Sequence, residues 1–264
     1  MTDAEEVEEV LATVEDHVAY VTINRPQRRN ALSQSVIRRL IRVFDEAQED
    51  PDVWAVLLTG AGDKAFCAGA DLKEFDEMAR QGRQIPVPMH GPERNIFEVV
   101  LETYKPTVAA VNGPALAGGC ELALACDLRI AADHAILGMP EAKRGMGANF
   151  ATAMLPRLLP RGIALQMLYT GDPFSADEAL RWGLYNRVVP SADLQKEAEA
   201  LVRSIVANAP LSLRRYKEMT TKGWELPVQS ALRLNVGPNP YLSEDREEGI
   251  RAFVEKRRPV WRGR

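Results

Sequence analysis

The sequence predicts an α/β fold, and three observations carry that reading. Short β-rich runs alternate with helix-periodic segments through the first two thirds of the chain. Several of the runs are apolar at nearly every position, as strands buried on both faces are. Glycine-bearing turns stand between run and helix. The 264 residues suit one large domain, or one domain with an appendage, and are enough to bury a sizeable core.

Residues 18–24 (VAYVTIN) are β-branched and aromatic and read as a strand, which ends where Pro26 stops regular pairing. From Ser33 onward, Val36, Ile37, Leu40, Ile41, Phe44 and Ala47 recur at helical spacing, and Asp50-Pro51 ends that helix. Residues 53–60 (VWAVLLTG), 106–113 (PTVAAVNG) and 128–132 (LRIAA) read as buried strands. Residues 80–92, with two glycines and three prolines, break the rhythm and read either as a mobile loop beside a binding site or as a plain surface insertion. Ser175 and Glu178 make a capping box for a helix ending near Gly183. Past the short run NRVVP the pattern turns helical, in three segments closed by Pro210, Gly223 and Pro259. The expected organisation is an α/β body over residues 1–190 and a helical region over 191–264 that packs on the body or on another subunit.

A net charge of −4, with no basic stripe, argues against nucleic acid as a partner. Cys67, Cys120 and Cys126 form no disulfide framework and suit a reducing compartment. The acidic start MTDAEEVEEV is not signal-like, and no run is long enough to span a membrane, so a cytoplasmic location is expected. His17, His90 and His134 are scattered and are read as structural or exposed, and no metal site is expected.

Two turns look alike: FCAGADL (66–72) and ALAGGCEL (115–122). In each, Gly and Ala stand where a helix begins, so unpaired N–H groups point out along the helix axis toward negative charge. Two such starts aimed at one point would form an oxyanion hole from the N–H groups of Ala70 and Gly118; small residues at such junctions also serve simple tight packing. Glu121 lies three residues beyond Gly118, among apolar neighbours, as a capping or a chemical carboxylate. Glu141, directly after Pro140, is either a second reactive carboxyl or a surface residue of a first helical turn.

The stretches NRPQRRNAL, FCAGADLKEF, KPTVAAVNGPALAGGCELALACDLRIAAD, GMPEAKRG, TGDPFSADEALRWGLYNRVVP and AFVEKRRPVWRGR, in this order, resemble the enoyl-CoA hydratase/isomerase (crotonase) family along nearly the whole chain. The resemblance implies a spiral of ββα units whose C-terminal helices build a homotrimer or a hexamer of paired trimers. It implies that Ala70 and Gly118 hold the thioester oxygen, and that Glu121 and Glu141 match the two glutamates of the hydratases. Related isomerases commonly keep only the second, so keeping both favours adding or removing water. Glu121 would take a proton from the attacking water, and Glu141 would deliver one to C2. No cofactor is implied beyond the coenzyme A of the acyl-CoA substrate.

By the same resemblance Arg28, Arg29 and Ala31 are candidates to lie over the CoA, the alternative being that the arginines are solvated turn residues, and Ala68, Asp71, Leu72 and Lys73 complete the contacts of the first turn. Phe253 and Lys256 reach a neighbouring subunit's CoA. The C-terminal part resembles the carnitinyl-CoA dehydratase branch. Residues 145–156 (GMGANFATAMLP) depart from the family's P-x-x-G-G pattern, with Asn149, Phe150 and Ala151 near the expected glycines. Phe150 would then either shorten the acyl pocket or turn away from it. The competing readings are a double-bond isomerase using Glu141 alone, a carnitinyl-CoA dehydratase-like enzyme, and a non-catalytic CoA-thioester binding protein.

Overall fold

The computed structural model describes residues 8–87 and 93–264. Its strands are β1 (Val10–Glu15), β2 (Val18–Ile23), β3 (Ala55–Gly60), β4 (Thr107–Val111), β5 (Ala115–Leu116), β6 (Leu128–Ala132), β7 (Ile136–Gly138), β8 (Phe174–Ser175) and β9 (Arg187–Val189). The helices of the body are α1 (Gln34–Glu49), α2 (Leu72–Arg80), α3 (Ile96–Glu102), α4 (Gly118–Ala125), α5 (Asn149–Leu158), α6 (Arg161–Thr170) and α7 (Ala176–Arg181). The C-terminal helices are α8 (Leu194–Val206), α9 (Pro210–Gly223), α10 (Val228–Ala231) and α11 (Glu244–Val254).

A six-stranded sheet runs β1-β2-β3-β4-β6-β9, with β1 antiparallel to β2 and every later pair parallel. The strands read from sequence are all there. The unread one is β1, an edge strand exposed at every position after Val10, so it carries no alternation to read. Its hairpin to β2 turns at Asp16 and His17, both with positive φ, the handedness that matches strand twist. One face of the sheet is covered by the apolar stripe of α1, together with α3 and α4. Helix α1 starts as expected at Ser33, whose Oγ accepts from the Val36 N–H at 3.3 Å. The other face is covered by α8, whose Leu194, Ala198 and Val202 pack on Val18, Leu57, Val108 and Ile130.

The small sheet β5-β7-β8 gives the fold its pitch. Two parallel bridges extend it, Cys67 to Ala115 and Leu32 to Ala70. Each turn of the chain therefore lays a strand in the large sheet, then a short segment in the small one, then a helix. The segments are Leu32 before α1, 67–70 before α2, β5 before α4, and β7 before α5. This is the expected spiral of ββα units.

In the C-terminal region Pro210 does not close a helix. It opens α9 at the first helical position, where its missing N–H costs nothing. Buried Lys217 of α9 ties this region to the body, with Nζ 2.8 Å from Asp127 Oδ2 and donating to the Lys105 carbonyl at 3.0 Å. Residues 81–87 leave α2 as exposed coil, and the rest of the loop expected over 80–92, with His90, lies outside the described residues. Among the described residues no helix is long and apolar enough to cross a membrane.

The two glycines that open α4 have different reasons. A methyl on Gly119 would stand 2.0 Å from the Cys67 carbonyl oxygen, so α4 is pressed onto the preceding turn of the spiral. A methyl on Gly118 would meet nothing nearer than 3.4 Å. Of the two roles open to glycines at such a turn, Gly119 serves tight packing. Gly119→Ala is expected to destabilise by about 3 kcal/mol or more through overpacking. Gly118→Ala is expected to leave thermal stability within about 1 kcal/mol. Melting curves of the two variants side by side check this.

Candidate active site

Register decides which way the amides face. Leu32 donates to the Gly69 carbonyl at 2.8 Å and accepts from the Asp71 N–H at 3.1 Å. In a parallel bridge the residue opposite, Ala70, turns its own N–H and C=O away from that partner. Among the described residues no acceptor is recorded for the Ala70 N–H. One turn later Cys67 takes the Leu116 N–H at 3.0 Å, and Ala117 donates to the Gly138 carbonyl at 2.9 Å. Ala117 then carries φ 53 and ψ −128, a region alanine rarely enters, at a cost on the order of 1–3 kcal/mol. That kink starts α4 at Gly118, whose N–H is one of the helix's unpaired first donors. The two turns touch, for a methyl on Gly69 (φ +87) would lie 3.1 Å from the Gly118 nitrogen.

Glu121, in the first turn of α4, is only 6% exposed. Its Oε1 accepts from the Ala151 N–H at 2.9 Å, and the Phe150 N–H also favours its charged form. These are the opening residues of α5, whose N-cap Ala148 offers no side-chain cap. Glu121 therefore does cap a helix, but the next one along the spiral rather than its own. Burial, opposed by the Ala151 N–H and reinforced by the charge of Glu141, pushes its carboxyl up to about 7.

Glu141 follows β7 in a short 3-10 turn and is also 6% exposed, so it is not the surface residue that one reading allowed. Among the described residues its Oε2 is buried with no hydrogen-bond partner. Burial raises its carboxyl as well. It opens on a cavity of about 260 Å³ lined by Met139, Ala148, Thr152, Leu165 and Leu168. Two buried carboxyls that feel one another, one held by the amides of α5 and one with a single oxygen that has no partner among the described residues, are suited to hold one proton between them.

Of the other residues expected here, Arg28, Arg29 and Ala31 line the turn beside this bridge, and Ala68 donates to the Arg29 carbonyl at 3.1 Å. Leu72 and Lys73 open α2. Asp71 is tied into the fold by its side chain: Oδ1 caps α2 through the N–H groups of Lys73 and Glu74, and Oδ2 lies 3.0 Å from Arg25 Nη1. That side chain is buried. Phe253 and Lys256 are not brought to this site within the chain. Phe253, 85% exposed, lines a separate groove of about 530 Å³ with Leu211, Tyr216 and Tyr241. His17 stacks on Trp54 with ring centroids 3.7 Å apart, and His134 is exposed beside Asp133.

The sequence reading passed over the two donors to Glu121, because backbone groups leave no mark on residue type. The one available signal was a helix starting at Asn149 with no capping side chain before it. It also passed over Arg129, which is buried at the C-terminal end of α4. Its Nη1 donates to the carbonyls of Ala123 at 3.2 Å and Cys126 at 2.6 Å, matching the negative end of that helix. Phe150 turns inward against Phe97, with ring centroids 5.5 Å apart.

The family model described as Enoyl-CoA hydratase/isomerase matches residues 13–264. The short-chain-enoyl-CoA hydratase of Clostridium acetobutylicum is 38% identical over 257 residues, covering 96% of this chain and 97% of its own. The carnitinyl-CoA dehydratase of Escherichia coli K12 is 40% identical over 254 residues, covering 92% of this chain and 94% of its own. The crystal structure of an enoyl-CoA hydratase from Mycobacterium tuberculosis H37Rv is similar at a TM-score of 0.87 and 36% identity, covering 97% of this chain and 99% of that one.

The raised Glu121 carboxyl has a consequence for stability. Its folded value of about 7 lies above its ordinary 4.5, so its contribution is fully present below about pH 4.5 and is lost as pH rises through about 7. Glu121→Gln removes this titration while keeping an oxygen for the Ala151 N–H. The variant is expected to match the parent near pH 4.5 and to exceed it above pH 7 by about 3 kcal/mol. Denaturant melts across that pH range measure the difference.

Proposed function

Because the chain belongs to the enoyl-CoA hydratase/isomerase family and is an enzyme of that kind, we propose that it adds water across the 2,3 double bond of a 2-enoyl-CoA thioester, and removes it in reverse. The observation that carries this reading is the pair of buried carboxyls beside two turns that present unbonded backbone amides.

In the proposed reaction the thioester carbonyl oxygen sits between the N–H groups of Ala70 and Gly118. As the oxygen of water bonds to C3, the double-bond electrons move toward C2 and the carbonyl, and the oxygen takes up enolate charge. Donors already fixed in place stabilise that charge without reorganising, and each is worth about 100- to 1000-fold in rate. Glu121 accepts the proton leaving the water: burial raises its affinity for that proton, while the Ala151 and Phe150 amides hold its charged form before the transfer. Glu141, with no donor on Oε2 to favour its charge, gives its proton to C2. Protons balance: one passes from water to Glu121, one from Glu141 to carbon, and exchange through solvent resets the pair.

On this reading Arg28, Arg29, Ala31, Ala68, Asp71, Leu72 and Lys73 border the CoA, the arginines suiting its phosphates because their planar forks pair with phosphate oxygens. Phe253 and Lys256 serve a neighbouring subunit in a homotrimer, or a hexamer of trimers. Supporting association, Val228, Leu232, Leu242, Phe253 and Val254 leave an exposed apolar surface on the C-terminal region of the single chain.

Turnover of crotonyl-CoA and a panel of longer, branched and charged enoyl-CoAs tests the proposal and selects the acyl group. Glu121→Gln and Glu141→Gln are each expected to lower kcat by about 100- to 10,000-fold while still binding CoA thioesters. Solvent oxygen is expected in the product; double-bond migration without it would replace hydration by isomerisation. An unchanged rate in either variant would remove the role assigned to that glutamate.

A further inference from the structure

Arg25 sits where the first two turns of the spiral meet, and its side chain is largely buried. One nitrogen serves both turns. Nη1 donates to the Ala31 carbonyl at 2.8 Å and lies 3.0 Å from Asp71 Oδ2. Nε pairs with Glu9 Oε1 at 2.7 Å on the approach to β1. Ala31 and Asp71 each adjoin the bridge between Leu32 and Ala70. Asp71 itself is divided: Oδ1 caps α2, while Oδ2 faces Arg25.

We infer that Arg25 and Asp71 are positioning residues for the Ala70 amide; the inference rests on that amide being the oxyanion donor of the proposed reaction. The physical reason is register. The Ala70 N–H faces the start of α4 only while Leu32 holds the Gly69 carbonyl on one side and the Asp71 N–H on the other. A single pair of backbone bonds is a weak hold on a short segment. The guanidinium adds a charge-assisted link from the Ala31 carbonyl to the Asp71 carboxylate, across the same bridge. Asp71 also fixes the first turn of α2, so the segment is held on both sides of Ala70.

Asp71→Asn isolates the effect. Asparagine is as good an N-cap as aspartate, so α2 keeps its start. Arg25 keeps Glu9, so no buried charge loses its only partner. The link across the bridge is lost, because the amide nitrogen that replaces Oδ2 cannot accept from Arg25. Arg25→Lys is the companion variant, because one ammonium on a flexible stem does not reproduce the fork.

The readouts are kcat and KM for crotonyl-CoA hydration, the melting temperature, and the absorption of a bound donor-substituted cinnamoyl-CoA. That chromophore moves to the red as hydrogen bonds polarise its carbonyl. A displaced donor is expected to cost less than a deleted one, so kcat falls by about 10- to 100-fold in both variants. KM stays within about threefold, since this loss falls on the transition state. The red shift shrinks and the melting temperature holds. Parental kcat and red shift in Asp71→Asn overturn the inference, as does a fall in kcat that leaves the red shift intact. Failure of both variants to fold also overturns it, because the role assigned is local. A parent that does not hydrate any enoyl-CoA overturns instead the reading on which it rests.

Discussion

Backbone hydrogen bonds between the short second segments of successive turns hold the site together, from Leu32 to 67–71, from Cys67 to β5 and from β5 to β7. In such a parallel stack a residue bonds to one neighbour and turns its amide from the other. Once the register is set, the residue ending each segment is placed at the same height on the molecule. Leu32 and Ala70 face each other across one bridge, and Gly118 and Glu141 follow the paired segments β5 and β7, each at the start of a helical turn. Functional groups far apart in the chain are thereby neighbours in the fold, through backbone geometry alone.

This arrangement is costly in two places, and the fold offsets both locally. Two carboxyls are buried close together, each resisting ionisation. The N-terminus of α5 supplies N–H groups and dipole to Glu121, while the guanidinium of Arg129 faces carbonyls at the far end of α4. Alanine 117 holds a strained backbone conformation, and its N–H bond to Gly138 keeps it there. Among the described residues Glu141 Oε2 has no hydrogen-bond partner. Unmet polar groups deep in a folded chain are rare, and beside a cavity they suit a site built to receive something from outside.

Features that depend on near neighbours in sequence were legible. The start and face of α1 were readable from Ser33 and the spacing that follows it, and the capping box at Ser175 is present as read. The strangeness of Glu121 among apolar residues did signal its burial. What escaped depends on distant segments. The role of Gly119 is set by a carbonyl in the previous turn, and that of Asp71 by an arginine much earlier in the chain. The C-terminal boundaries erred at Pro210 because proline reads equally as a stop or as a first helical residue.

The departure of Asn149, Phe150 and Ala151 from the expected glycines looks severe in sequence and mild in structure, and the reason lies in what is exchanged there. Glu121 is held by an N–H, which every residue except proline carries, so Ala151 donates as a glycine would. Side-chain volume is what changes. The Phe150 ring packs on Phe97, whose ring tip would lie 3.5 Å from a methyl built on Gly118. The added bulk therefore stands behind the turn that opens α4 and does not displace the donors to the carboxylate. A substitution here changes the volume beside Phe97 while the hold on the Glu121 carboxylate stays in place, because that hold is a main-chain group and the volume belongs to side chains.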